Sequence, residues 1–448
     1  MHVYDKVLIL GCGRSGRAAE AMLRSEGASV VSICQEATPD YQYEDIHFDP
    51  EVAIVSPGFS LEHPWVKDLV ARGIPLLSEL ELGWSRRHCS VIAVTGSNGK
   101  STVVKWISDI LAKAGKVSVP CGNYGLPVSA AVMLPKAPDW LIVEVSSFQL
   151  ETIKEFHPDI GVLLNVLPNH LDRHGDIETY RDIKLRLFEC MQETGTAILP
   201  FELFQGLETG NAGLSAFFQG SEKVLPLQCE ALKCNEVASK PWKTFGTEEG
   251  ADYRFQDGKV GEVDLGGTYF DNEVLGAAAA AVAAVCEACG LPPNAIEASA
   301  RAFEPLPHRM QTVAEIGGVR FVDDSKATNL AGMCAALRMS SGPIHLIAGG
   351  RAKETDLSFA KDLLAQQVSR LYLIGEASKA MQAAWGDSVA CLPCETLQEA
   401  VSAAWESAEP GDTVLLSPAC TSFDQFRSFD ERGEVFAREV CRLKSECA

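Results

Sequence analysis

The segment Ala93-Val-Thr-Gly-Ser-Asn-Gly-Lys-Ser-Thr102 puts glycines, a lysine and two hydroxyls where a phosphate chain could be held. The apolar run at residues 90–94 reads as a strand. Gly96 and Gly99 then open a turn, and Val103, Ile107, Ile110 and Leu111 follow at helical spacing. Glycines let backbone N–H groups close on phosphate oxygens, and the helix N-terminus adds positive partial charge. The lysine meets the β- and γ-phosphates, and a hydroxyl can hold Mg²⁺. This order predicts a nucleoside triphosphate site, for ATP or GTP, built from Gly96, Ser97, Asn98, Gly99, Lys100, Ser101 and Thr102. The loop is shorter than G-x-x-x-x-G-K-[ST], because Val94 stands at that pattern's first glycine and Gly96 takes over. The alternative is a chance glycine turn before a helix.

Two further stretches carry chemistry-bearing residues. Glu144 lies among Leu141, Ile142, Val143 and Val145, and a carboxylate on so apolar a strand is costly unless it is paired or holds a metal. Ser146-Ser-Phe-Gln149 follow it. Residues 160–166 read as another strand, with Asn165 near its end and Asn169-His-Leu-Asp172 just beyond. Near the start, Gly11-x-Gly13-x-x-Gly16 separates a strand at 6–10 from a helix at 17–26, and a second strand spans 30–34. Glu36 lies 20 residues after Gly16, where an acid would hold an NAD ribose. Three readings stand here: a dinucleotide site, a site for another phosphorylated ligand, and a structural tight turn. A strand at 52–55 ends in Ser56-Pro57-Gly58.

The elements that must position these residues fall into three blocks, 1–88, 89–304 and 305–448. Strands alternate with helical stretches in each, which argues for parallel sheets. The expected class is α/β, with a Rossmann-like N-terminal domain, a central P-loop ATPase-type domain and a Rossmann-like C-terminal domain. Residues 195–270 are too irregular to assign, and a helix at 271–290 closes the second block. Glu304-Pro-Leu-Pro-His-Arg309 is a proline-marked linker into the third. There, strands at 319–322, 345–348, 371–374 and 413–416 each end in a polar loop: Asp323-Asp-Ser-Lys326, Gly349-Gly-Arg-Ala-Lys353, Gly375-Glu376 and Ser417-Pro-Ala-Cys420. In a doubly wound sheet such loops share one edge and can converge on a ligand.

The 448 residues are 46% hydrophobic with a net charge of −21, which argues against nucleic acid or an anionic membrane surface as a general partner. An anionic substrate would need local concentrations of Lys and Arg. No run of about 20 apolar residues is present, and Met1-His-Val-Tyr-Asp5 lacks signal-peptide features, so the expected location is the cytoplasm. The 15 cysteines are scattered. Cys286-x-x-Cys289 and Cys391-x-x-Cys394 could form a zinc site, but reduced thiols are the better reading.

Three segments carry a resemblance that runs through the whole chain: Glu144-Val-Ser-Ser-Phe-Gln-Leu-Glu151, Asp324-Ser-Lys-Ala-Thr-Asn329 and Ser417-Pro-Ala-Cys-Thr-Ser-Phe-Asp-Gln-Phe426. With the phosphate loop, they resemble the Mur ligase family of ATP-dependent amide-bond ligases. Within it they are similar to the members that add D-glutamate to UDP-N-acetylmuramoyl-L-alanine. Relatives that add L-alanine, diaminopimelate or lysine usually carry D-Y-x-H in place of DSKATN. The resemblance implies domains for the UDP-sugar, for ATP and for the amino acid. It also implies that the substrate carboxylate attacks the γ-phosphate, and that the amine then attacks the resulting acyl phosphate. Positioning and charge neutralisation would carry most of the catalysis.

By the same resemblance, Lys100 would stabilise the transferring phosphoryl group. Ser101 and Glu144 would hold a first Mg²⁺, and His170 would help hold a second. Lys184 would be carbamylated by CO₂ and, so modified, lie near magnesium. Asn272, Arg309 and Asp324 would contact ATP. Arg14, Ser15, Ser56, Pro57, Gly58, Asn123, Ser146 and His170 would serve the UDP-sugar substrate. Lys326, Thr328, Lys353, Ser422, Phe423 and Phe429 would form the D-glutamate pocket. Two lysines there suit a ligand with two carboxylates. The chain departs from the family pattern at Leu275, where a second asparagine is usual, at Arg351, where some relatives have aspartate, and at Cys34-Gln35, where a Thr-Arg pair can serve uridine. A monomer without nucleic-acid partner or membrane insertion is expected. The rivals are a folylpolyglutamate synthase, an NAD-dependent oxidoreductase and a nucleotide-binding protein without ligase activity.

Overall fold

In the first sheet, the apolar strand β1 (Lys6–Leu10) is central, with β2 (Ser29–Ile33) on one side and β3 (Val52–Val55) on the other; β4 (Leu76–Leu77) completes the order β2-β1-β3-β4. All its pairings are parallel. Both faces are covered, so β1 and β3 are apolar along nearly their whole length rather than alternating. The structure, a computed structural model, describes residues 4–34, 49–208 and 242–446. Gln35 and Glu36, named above for a ribose or uridine contact, lie outside the described residues.

The second sheet contains β5 (Ser90–Thr95), β6 (Ser118–Gly122), β7 (Trp140–Glu144), β8 (Ile160–Leu163), β9 (Thr196–Pro200), β10 (Trp242–Gly246), β11 (Tyr253–Gln256), β12 (Lys259–Val260) and β13 (Val263–Asp264). Its order is β13-β12-β11-β10-β9-β8-β5-β7-β6. Strands β6 to β11 with β5 pair in parallel, and β11-β12-β13 form an antiparallel edge. The segment left unassigned in the sequence supplies β9 to β13. Short strands, some of two residues, gave no periodicity to read. Trp106 and Phe270 stack with centroids 3.6 Å apart, which fastens the helix Lys100–Lys113 to the segment after β13.

These two sheets belong to one compact unit, Met1–Val166 with Glu178–Asp271 and Leu275–Ala302. The second unit comprises Leu167–Ile177, Asn272–Val274 and Phe303–Ala448. It holds a third sheet of β14 (Gln311–Ile316), β15 (Val319–Asp323), β16 (Ile344–Gly349), β17 (Val368–Ile374), β18 (Cys391–Pro393) and β19 (Thr413–Leu416), ordered β14-β15-β19-β16-β17-β18. Only the β14-β15 pair is antiparallel. Its two faces bury separate apolar clusters, one around Met333, Leu346 and Trp385, the other around Phe321, Tyr372 and Phe436. Each sheet falls within one of the three blocks read from the sequence. The architecture is α/β, as expected.

Two local details differ from the sequence reading. The first helix spans Arg14–Ser25 and starts three residues early, because Gly13 adopts an extended conformation and serves as N-cap. The cysteines are not all free thiols: Cys12 and Cys34 form a disulfide, with Cα atoms 5.3 Å apart. The cause is strand pairing, since Leu10 lies beside Ile33 and the two cysteines follow those residues closely. Cys286, Cys289, Cys391 and Cys394 are free thiols, and the last two donate to the carbonyls of Val389 and Leu392.

Gly16 packs directly on the carbonyl of Gly11, and an added Cβ would fall on that oxygen. The helix can approach the glycine loop this closely only without a side chain. Gly16→Ala should therefore cost on the order of 1–3 kcal/mol of stability. Differential scanning calorimetry checks this, and an unchanged midpoint would show that the loop can retreat at no cost.

Candidate functional site

The phosphate-type loop leaves the carboxyl end of β5, with β7 on one side and β8 on the other. Gly99 has a φ of 84°, a left-handed conformation that glycine adopts without penalty, and it forms the N-cap of the helix Lys100–Lys113. No side chain caps that helix, and a helix N-terminus of this kind carries positive partial charge. Asn165, beyond β8, shapes the loop: its Oδ1 accepts from the backbone N–H groups of Ser97 and Asn98, both at 3.0 Å. Its side-chain amide donates to the Asn98 carbonyl at 3.2 Å.

The lysines and the buried carboxylate meet at this loop. Lys100 Nζ donates to the carbonyls of Gly96 (2.7 Å) and Ser97 (2.9 Å). Ser101 Oγ donates to Glu144 Oε2 at 2.6 Å, while Asn123 Nδ2 donates to Glu144 Oε1 at 2.7 Å. Glu144 is buried, as its strand position required, and these two donors satisfy it. Lys184, on the helix Ile177–Leu185, is only 1% exposed. Its Nζ donates to the Gly96 carbonyl at 3.0 Å and sits 4.5 Å from the centre of the Tyr180 ring. Burial holds its pKa well below the usual lysine value. The neighbouring charge of Lys100 lowers it further, against a smaller opposing pull from Glu144.

Other predicted residues occupy other settings. Arg14 donates to the Gly125 carbonyl at 2.8 Å. Ser15 lies in the first turn of the helix Arg14–Ser25. Ser56, Pro57 and Gly58 follow β3, at the same edge as the glycine loop. Ser146 is the N-cap of the helix Ser147–Leu150 and forms a capping box with Gln149. That S-x-x-Q signature was present in the sequence but unread. His170 belongs to the second unit and has a φ of 57°. Asn272 also belongs to that unit, and Leu275 is buried in the first.

The second unit gathers its polar loops at the carboxyl edge of β15, β19 and β16. Asp323 accepts from Ser325 N at 2.9 Å and is 2.7 Å from His308 Nδ1. Hydrogen bonding to Asp323 raises the His308 pKa. Asp324 accepts from Ser417 Oγ at 2.9 Å and from Met310 N at 3.2 Å. Burial nevertheless pushes its pKa up to about 7, with Arg309 among the groups pulling the other way. Lys326, Thr328, Lys353 and Phe429 are half-buried, Ser422 is buried, and Phe423 is 64% exposed. Arg351 forms two hydrogen bonds to Glu376, each 3.0 Å, on the surface.

Sequence reasoning missed Arg432. Its side chain is fully buried; Nε donates to Ser325 Oγ at 2.9 Å, and Nη2 donates to the carbonyls of Ser325 (2.8 Å) and Cys420 (3.1 Å). One guanidinium thereby ties the loop after β15 to the loop after β19. The signal was its phase: Arg432 shares the inward face of the helix Phe429–Glu446 with Phe436, Val440 and Leu443.

Comparison with known proteins fits this architecture. Residues 94–206 match the model of the Mur ligase middle domain, and residues 308–420 that of the Mur ligase, glutamate ligase domain. The chain is 33% identical to the UDP-N-acetylmuramoylalanine--D-glutamate ligase of Koribacter versatilis, over 98% of each protein. It is 35% identical to the protein of the same name from Acidobacterium capsulatum, over 96% of this chain and 95% of that one. Among solved structures, the MurF ligase of Thermotoga maritima in complex with ADP has a TM-score of 0.60 at 16% identity, covering 99% of this chain and 96% of that one. A parallel α/β architecture with a phosphate-type loop beside a buried glutamate defines a nucleotide-dependent class of protein. The chain belongs to the Mur ligase family.

The raised pKa of Asp324 sets a pH dependence. The folded state keeps this proton above the ordinary carboxylate value of 3.8, so the stabilisation is full below about pH 4 and is lost as pH rises through about 7. Wild type should therefore lose stability relative to Asp324→Asn across that window, by at most about 1.4 kcal/mol per pH unit. Urea denaturation of both proteins from pH 4 to 8 measures it. A pH-independent difference would show that Asp324 titrates normally.

Proposed function

We propose that this protein is an ATP-dependent amide ligase that joins D-glutamate to UDP-N-acetylmuramoyl-L-alanine in peptidoglycan precursor synthesis. The observation that carries the reading is the near full-length identity to proteins of that name. The meeting of Lys100, Ser101 and Glu144 at one loop supports it. A carboxylate is a poor electrophile because its leaving group would be oxide. Its oxygen attacks the γ-phosphorus, ADP leaves, and the acyl phosphate forms. The amine nitrogen then attacks the acyl carbon, phosphate departs and the amine loses a proton. Lys100 is proposed to offset charge on the transferring group, and Gly96 to Thr102 to cradle the phosphates.

Ser101 Oγ and Glu144 Oε2 form a hard-oxygen pair that suits Mg²⁺, which favours few protein ligands together with phosphate oxygens. Among the described residues, no group of three or more His, Cys, Asp or Glu side chains gathers as a metal cage. Bound there, Mg²⁺ would supply charge neutralisation to the phosphates. His170 is proposed as a ligand of a second Mg²⁺. Asn272, Arg309 and Asp324 are proposed to contact the nucleotide. Arg14, Ser15, Ser56 to Gly58, Asn123 and Ser146 are proposed for the UDP-sugar, and Lys326, Thr328, Lys353, Ser422, Phe423 and Phe429 for D-glutamate. The blocks 1–88, 89–304 and 305–448 are the proposed domains. The protein is proposed to act as a cytoplasmic monomer; among the described residues no helix is long and apolar enough to cross a membrane.

Lys184 is the proposed carbamylation site. Carbamylation requires the neutral amine, and burial beside Lys100 favours that form. The amine nitrogen bonds to the carbon of CO₂ and releases one proton, which converts a would-be cation into an anion. Lys184→Ala should be almost inactive and should regain part of its turnover in acetate. Wild-type turnover without acetate would remove the carbamate from the mechanism.

The deciding assay for the ligase reading is phosphate release from ATP with Mg²⁺ and UDP-N-acetylmuramoyl-L-alanine across a panel of amino acids. Release should require both the UDP-sugar and D-glutamate. Dependence on another amino acid would relocate the specificity, and no release under any combination would refute ligation.

A further inference from the structure

Cys12 and Cys34 form the one disulfide among the described residues, and it joins the glycine loop after β1 to the end of β2. Both cysteines are half-buried, within reach of small reagents. By contrast, Cys121, Cys286, Cys334, Cys394 and Cys420 are buried, and burial pushes their thiols up, away from the reactive thiolate. The loop between β1 and the helix Arg14–Ser25 is closely confined. The Gly11 N–H donates to the Ile33 carbonyl at 2.7 Å, across the gap between β1 and β2. A Cβ on Gly11 would fall on the Ser56 side chain, just beyond β3, and one on Gly16 would fall on the Gly11 carbonyl. The disulfide adds a covalent tie on the β2 side. In parallel sheets of this kind a nucleotide's phosphates sit at the glycine loop after the first strand and its ribose at the end of the second. The disulfide spans those two points.

We propose that Cys12 and Cys34 are a reversible thiol–disulfide switch whose oxidised form binds the UDP-sugar substrate more weakly than the dithiol does. This rests on the ligase reading above and deepens it. The oxidant is a low-molecular-weight disulfide. One cysteine thiolate attacks a sulfur of that disulfide and expels a small thiolate, leaving a mixed disulfide. The other cysteine attacks the protein-side sulfur, forms the Cys12–Cys34 bond and expels the second small thiolate. Two protein thiols lose two electrons and two protons, and the small disulfide becomes two thiols. Excess small thiol drives the same steps backwards. With Cα atoms 5.3 Å apart, the cysteines close the bond without rearrangement of β1 or β2. The closed bridge fixes the loop at one separation from the end of β2, on the path between phosphate and ribose. Reduction leaves that separation to the Gly11–Ile33 hydrogen bond, so the loop can adjust to the ligand. A disulfide in a reducing cytoplasm is characteristically transient and sensing rather than structural.

The test equilibrates the full-length enzyme in buffers of reduced glutathione and glutathione disulfide, with the Cys12–Cys34 bond followed by differential alkylation and mass spectrometry. KM for UDP-N-acetylmuramoyl-L-alanine should be at least about fivefold higher for the disulfide form than for the dithiol. KM for ATP and for D-glutamate should stay within about twofold. Linkage adds a readout independent of turnover: at one glutathione ratio, saturating UDP-sugar should shift the dithiol-to-disulfide ratio toward the dithiol by that same factor. Cys12→Ser, and Cys12→Ser combined with Cys34→Ser, should each show one KM in both buffers. Equal KM values for the two wild-type forms, tighter binding by the disulfide form, or redox dependence that persists in the variants overturns the switch. Calorimetry on the reduced wild type separates the two readings. If that form does not bind the UDP-sugar, the ligase reading fails and takes the switch with it. If it binds and turns over with D-glutamate while oxidation changes nothing, only the switch fails.

Discussion

One carbonyl oxygen, that of Gly96, receives hydrogen bonds from two lysines, Lys100 and Lys184. Much of the site's electrostatics follows from this. Two ammonium groups drawn to one acceptor repel each other, and Lys184 is also almost fully removed from water. Desolvation and like charge both favour its neutral form. Lys100 is half-buried, whereas Lys184 is almost fully buried. The loop thus combines a cation, an uncapped helix start and one carboxylate already engaged by Ser101 and Asn123.

The same carbonyl explains why Gly96 and Asn165 matter to the shape of the loop. Lysine side chains can converge on a backbone oxygen only if the turn presents it, and Asn165 pins that turn through two adjacent N–H groups. β5 lies between β7 and β8, so residues 144 and 165 arrive on opposite sides of the loop. The carboxylate and the amide come from strands consecutive in sequence, β7 and β8, that the sheet order places on either side of β5. This is the crevice where parallel sheets place ligands.

How much of this was legible depended on how local each signal was. The loop from Gly96 to Thr102 and its helix could be read directly, because strand, turn and cation are consecutive. Glu144 was conspicuous as a charge on an apolar strand, yet its partner Ser101 lies 43 residues away, and only sheet order unites them. Lys184 was singled out only through the family resemblance, since the helix pattern around it does not reveal the loop it meets. The Cys12–Cys34 disulfide depends on β1–β2 register, which spacing in the sequence does not give. Within residues 195–270, β12 and β13 are two residues each, too short for alternation to appear.

In the second unit the organising problem is to hold together the polar loops after β15 and β19. Arg432 addresses it from below. Burial lowers its pKa to about 10, which still leaves it charged at neutral pH, and Cys420, Asp424, Asp323 and Asp324 all favour that charge. Its Nε is directed at the Ser325 hydroxyl and its Nη2 at the Ser325 and Cys420 carbonyls, which fixes loop geometry, while Nη1 is buried without a hydrogen-bond partner among the described residues. A buried apolar residue of similar size could fill the space but would leave those polar atoms unpaired, at a cost of about 1–3 kcal/mol each. Lysine could satisfy fewer of them in the same geometry. Arginine at this inward-facing helical position thus orders the loops after β15 and β19 from the interior.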